Sequence, residues 1–113
     1  MKLISQADLK PYEPKLIEYR RYLHQHPELS FEEFETSAFI QREMQQLSHA
    51  IVTNPTETSV LVQFKTGKPG PKIGLRADID ALAITEERTD IDFISQNPGK
   101  MHACGHDAHT AIL

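Results

Sequence analysis

The sequence has 113 residues, of which 39% are hydrophobic, and a formal net charge of −4 from 12 basic and 16 acidic side chains. That length makes one small domain or part of a larger one. No apolar run approaches the roughly 20 residues of a membrane helix, and the first ten residues lack the apolar stretch of a secretory signal. The single cysteine excludes an internal disulfide, and no basic stripe offers a nucleic-acid surface. A cytoplasmic protein with neither nucleic acid nor membrane as partner is the simplest expectation.

Residues 1–10 read as a polar lead-in. Pro11 and Pro14 bracket an opening turn, where a missing N–H costs least. Tyr12, Leu16, Tyr19 and Leu23 recur at spacings of 4, 3 and 4, which predicts a helix over 12–25, ended by Pro27. Ser30-Phe31-Glu32-Glu33 has the pattern of a capping box, and Phe34, Ser37, Ile40, Met44 and Leu47 continue at helical spacing. A second helix is therefore expected over 31–48. Both apolar stripes are expected to be core.

The period then changes. Ile51-Val52-Thr53 suggests a short strand, and Val60, Val62 and Phe64 alternate as in a half-buried one. The Gly/Pro-rich loop at 67–71 leads to Ile73, Leu75 and Ala77, so the expected pairing is an antiparallel hairpin of 59–66 with 72–77. Residues 85–100 read as loop or short edge strand, with a turn at Asn97-Pro98-Gly99. The chain closes on the opening turns of a helix from Asp107, without a C-cap, which suggests a fragment. The expected class is α/β: two N-terminal helices packed on a mixed sheet containing the hairpin, with the last motif at the sheet's edge.

Three windows carry candidate chemistry. Three of the six histidines and the only cysteine fall within residues 102–109. Thiolate and imidazole are preferred ligands for zinc-like ions. In an extended segment His102, Cys104 and His106 would share a face; in a helix His106 and His109 would be neighbours. The bland alternative is a small buried cysteine among hydrogen-bonded histidines. In the second window, Asp78 and Asp80 lie two apart at a strand end, able to support a metal-bound histidine or simply to cap a turn. The third, His24-Gln25-His26-Pro27-Glu28-Leu29-Ser30, has the look of a metal cluster, but the helix break at Pro27 and the capping box explain most of it.

Taken together, RRYLHQHPELSFEEFET (20–36), GLRADIDALAITE (74–86) and MHACGHDAHTAIL (101–113) resemble the two-metal amidohydrolases of the aminoacylase and carboxypeptidase clan. Within it they are most similar to the branch with hippurate hydrolase, indole-acetyl-amino-acid hydrolases and N-acetyldiaminopimelate deacetylase. The resemblance runs nearly end to end. It implies that Cys104 and His106 are metal ligands, and that Asp80 is the acidic catalytic residue supporting them. It also implies outer roles for Asp78, Asp107, His102 and His109. Ala83 stands where the family usually has proline, which loosens a turn but touches no ligand.

The resemblance further implies two divalent ions, zinc or manganese, and metal-assisted hydrolysis of an N-acyl amino acid by a homo-oligomer when full length. The family's Glu-Glu pair, its further histidine ligands and its smaller dimerisation-type domain lie beyond residue 113. Residues 1–113 are thus expected to be the N-terminal part of a catalytic domain, inactive alone and prone to self-association through exposed apolar surface. The alternatives are a non-catalytic metal-binding module, using His102, Cys104, His106 and His109, and a truncated product without activity.

Overall fold

The computed structural model describes residues 3–113, so Met1 and Lys2 of the lead-in lie outside it. The rest of the lead-in is not simply coil. Helix α1 spans Gln6–Leu9, and a 3-10 turn over Lys10–Tyr12 joins it to α2, Glu13–Gln25. The Asp8 carboxylate starts α1 by accepting from Ser5 N at 2.9 Å and Ser5 Oγ at 2.7 Å. Pro14 stands in the first turn of α2, and the helix ends two residues before Pro27, as its sequence requires.

Helix α3 spans Phe34–Gln45, three residues shorter at each end than its periodicity predicts. The expected capping box does not form. Phe31 sits at φ 67°, in the left-handed region, so no helix can run through it. Ser30 instead donates to Asp80 Oδ2 at 2.7 Å. The first turn of α3 is held by Glu28, whose carboxylate accepts from Glu35 N at 3.1 Å and from Thr36 N and Oγ1, both at 2.6 Å. A carboxylate there satisfies free N–H groups and suits the helix dipole.

The hairpin pairs differently from the expected register. Strand β1, Ala50–Thr53, runs antiparallel to β2, Leu61–Phe64, with Ala50 opposite Phe64 and Thr53 opposite Leu61. Residues 72–77 form no strand; Ile73 and Leu75 are 85% and 78% exposed. Two consecutive short strands satisfied each other, leaving the third without a ladder partner. The α/β class holds, but the sheet is two-stranded and antiparallel rather than mixed. Helix α3 packs against β1, whereas α2 packs against α4, His106–Ile112. The last motif is thus carried on α4 against α2, with single bridges Leu29–Ala81 and Leu82–Met101 holding the segments that lead to it. Residues 85–100 are loop, closed by the Lys100 N to Asn97 O bond at 3.1 Å.

The helical stripes do not make a closed core. Among the described residues with apolar side chains, Leu23, Pro27 and Ala81 are buried, whereas Tyr12, Phe34 and Leu47 are exposed. Tyr19, Phe39, Ile40, Met44, Val62 and Leu75 line an open groove of about 810 Å³ instead. The radius of gyration, 15.8 Å, exceeds the roughly 13 Å of a compact chain this long.

One polar contact ties α2 to α3: Tyr19 Oη donates to Glu43 Oε2 at 2.6 Å. Burial, then this bond, pushes the Tyr19 phenol up to about 12. The folded state thus keeps a proton that the unfolded chain releases near pH 10. Stability linked to Tyr19 should be complete below about pH 10 and fall as pH rises through about 12. Glu43→Gln should lower the folded-state value, read from phenolate absorbance against pH; an unchanged titration would contradict the assignment.

Candidate active site

The site begins where segment 72–80 ends. Asp80 lies beside the imidazole of His106, the first residue of α4. His106 Nδ1 lies 2.9 Å from both Asp80 Oδ1 and the Asp80 carbonyl oxygen. Both neighbours are acceptors, so Nδ1 carries the proton and the Nε2 lone pair is left for a ligand. A carboxylate fixing the tautomer of a metal-binding histidine is a recurrent arrangement. The Ser30 hydroxyl, ahead of Asp80's own backbone N–H and His106, holds the Asp80 carboxyl below its ordinary range despite partial burial. Asp80 is therefore ionised at neutral pH.

Gly105 makes the turn into α4 at φ 121°, a conformation that side chains rarely adopt. It separates His106 from Cys104, whose thiol is free and exposed. Of the two arrangements open in the sequence, the helical one is realised: the His106 and His109 rings are neighbours, with centroids 6.1 Å apart. His102 and Cys104 do not share an environment, since His102 is buried and Cys104 exposed. Neither ring nitrogen of His102 has a hydrogen-bond partner among the described residues. Burial lowers its pKa, so this imidazole is neutral.

Asp78 lies apart from His106. Its carboxylate pairs with Arg76 at 2.8 Å on the surface, and its carbonyl accepts from Thr110 Oγ1 at 3.1 Å. Asp107 turns the other way, into the protein. Only 2% exposed, its Oδ2 meets His24 Nδ1 at 2.8 Å and Arg20 Nε at 3.0 Å. His24 Nε2 in turn meets Glu86 Oε1 at 2.8 Å. Burial raises the Glu86 carboxyl, but the bonds from His24 and the Ser95 N–H outweigh it and leave it lowered.

Arg20, His24 and Glu86 were not singled out as site residues from the sequence. The signal present was the i, i+4 spacing of Arg20 and His24, which puts both on one face of α2. Their carboxylate partners are far along the chain, and nothing local marks them.

The donors fit part of a metal site. A free thiol and an imidazole with its Nε2 lone pair exposed by a carboxylate are the right chemistry for a zinc-like ion. Yet no group of three or more His, Cys, Asp or Glu among the described residues is arranged to hold one. The donor set is incomplete within these residues.

Residues 74–113 match the model of Peptidase family M20/M25/M40. The chain is 50% identical over 98 residues to an N-acyl-L-amino acid amidohydrolase of Geobacillus stearothermophilus, covering 87% of this chain and 26% of that protein. It is 49% identical over 107 residues to an N-acetyl-L-cysteine deacetylase of Bacillus subtilis, covering 95% and 26%. Its fold matches the crystal structure of the Bacillus subtilis YXEP protein, a dinuclear metal-binding peptidase of the M20 family. That match has a TM-score of 0.82 and 45% identity, over 90% of this chain and 29% of the other. The chain is thus similar over most of its length to the N-terminal part of M20-family metallohydrolases. It spans about a quarter of the length of the curated relatives it matches.

Proposed function

We propose that residues 1–113 form the N-terminal part of a catalytic domain whose longer form hydrolyses the amide bond of N-acyl amino acids. The observation that carries this reading is the Asp80–His106 bond at 2.9 Å, two residues from a free Cys104. Cys104 and His106 would hold a pair of divalent ions, zinc or manganese, together with donors from the rest of the polypeptide. When bound, such ions lower the pKa of water and polarise an amide carbonyl. Asp80 keeps the Nε2 lone pair of His106 available. His102 and His109 flank the ligands. Asp78 acts only through its backbone, and Asp107 through the segments it ties to α4. The substrate is a small acylated amino acid. The working protein is a cytoplasmic homo-oligomer that engages neither nucleic acid nor membrane.

The discriminating experiment sizes the natural product and then assays it. A species far above 12.8 kDa should release amino acid from N-acetyl or N-benzoyl substrates when supplied with zinc or manganese. The 113-residue chain should give no hydrolysis above the metal-only blank, because the donor set among its described residues is incomplete. Metal-dependent turnover by the pure 113-residue chain would refute the inactive-fragment reading. A longer species without N-acyl hydrolysis would refute the substrate class. One feature favours the metal-binding alternative: the exposed thiol lies close in sequence to the adjacent His106 and His109 rings. Tight stoichiometric metal binding by the short chain would support it.

A further inference from the structure

We propose that His24 is a positioning residue that sets the aim of His106 through Asp107. This rests on the reading of His106 as a ligand, but its first test needs no metal. His24 is 2% exposed and each ring nitrogen faces a carboxylate, Asp107 from α4 and Glu86 from the loop after Asp80, both at 2.8 Å. Glu86 uses its other oxygen to accept from Ser95 N at 2.6 Å. The Phe93 ring stands edge-on to His24, 5.7 Å away, with the Arg20 and Arg21 guanidinium groups over it. One imidazole thus ties α2, the 86–95 loop and α4 together.

The consequence for His106 follows from chain geometry. Asp107 is its neighbour, and α4 starts from Gly105, whose backbone is in the left-handed region and conformationally permissive. A seven-residue helix preceded by such a turn does not fix its own orientation. The Asp107 carboxylate fixes it: Oδ2 is clamped by His24 and Arg20, while Oδ1 accepts from Ala108 N at 2.9 Å within α4. With the backbone held there, the His106 ring meets Asp80 and keeps its Nδ1–H form. Release of the clamp lets α4 turn about Gly105, and the ring loses Asp80.

Two near-isosteric variants separate positioning from general stability. The amide nitrogen of Asn occupies about the place of His Nδ1, and that of Gln about the place of Nε2. His24→Asn therefore keeps the bond to Asp107 and loses Glu86; His24→Gln does the reverse. Each leaves one buried carboxylate short of a partner, so both should lower stability to a similar degree. Imidazole nitrogen NMR of the metal-free chain, under folding conditions, reports the His106 tautomer. The wild-type chain and His24→Asn should show the Nδ1–H form, and His24→Gln a mixture of tautomers. Identical His106 spectra for the two variants would overturn the proposal.

Cadmium titration follows. His24→Gln should weaken thiolate-linked cadmium binding at least tenfold, and His24→Asn less than threefold. If the tautomers respond as stated but the wild-type chain binds no cadmium through Cys104, positioning stands and the metal-site reading fails. Should either variant not fold, Glu86→Gln serves in its place: it leaves the Asp107 contact intact and should keep the His106 tautomer, and a mixture of tautomers would count against the proposal.

Discussion

Replacing Asp107 by alanine is expected to remove a large share of the chain's stability. The carboxylate is 2% exposed and meets two side chains, Arg20 and His24, as well as the Ala108 N–H. Removing it leaves the buried His24 Nδ1 and the Arg20 guanidinium, about a third exposed, without their acceptor, at a cost of about 1–3 kcal/mol for a buried group left unsatisfied. Small domains have about 5–15 kcal/mol in all, and one whose buried apolar side chains are few belongs near the bottom of that range. Surface pairs offer a contrast. Lys15–Glu18 and Arg88–Asp90 lie on largely exposed side chains and should contribute little, because solvent screens them. Urea unfolding followed by circular dichroism measures both. Asp107→Ala should unfold at a much lower urea concentration, whereas Asp90→Ala should keep the wild-type midpoint. A loss of less than about 1 kcal/mol in Asp107→Ala, the surface-pair range, would show that the network is not buried as described.

The second large effect is expected on activity in the longer protein. Cys104→Ser exchanges a soft thiolate for a hydroxyl that stays protonated at neutral pH and binds metal poorly. Loss of a group that merely supports a ligand typically costs about 10–100-fold in metal affinity or activity. Loss of the ligand itself should exceed that, so kcat/KM should fall by more than about 100-fold. Asp80→Asn should fall by about 10–100-fold, since it removes the charge that holds the His106 tautomer. Parallel assays with saturating zinc or manganese provide the comparison. Near wild-type kcat/KM in Cys104→Ser would remove Cys104 from the metal site.

The parts legible in the sequence were those encoded locally. Helix α2 could be read from the 4-3-4 recurrence of Tyr12, Leu16, Tyr19 and Leu23 and from the prolines at both ends, because helical spacing and φ restriction act within a few residues. Asp80 and His106 could be singled out because each belongs to a short motif with chemistry of its own. What escaped depends on partners distant in sequence. Ser30 had the spacing of a cap, yet it bonds Asp80, 50 residues away. His24 looked like part of a helix break, yet its partners are 62 and 83 residues ahead.

The strand pairing escapes the sequence for a related reason. Segments 59–66 and 72–77 are both apolar and joined by a short loop, which is the usual sign of a hairpin. Residues 50–53 are shorter but paired with the same strand. Strand propensity says that a segment is extended and not which neighbour it meets. The helical stripes misled in the same way: periodicity identified the apolar face but not whether this chain covers it, and here the faces line a groove.

Cadmium titration of the 113-residue chain, followed by thiolate-to-metal absorbance, tests most directly whether Cys104 and His106 form part of a metal site. The expected result is a charge-transfer band that grows with weak affinity, without saturating at one equivalent, and is absent in Cys104→Ser. His106→Ala should weaken it further. No band at high cadmium, or one unchanged by His106→Ala, would contradict the pairing of these two ligands and, with it, the reading of this chain as part of a two-metal hydrolase centre.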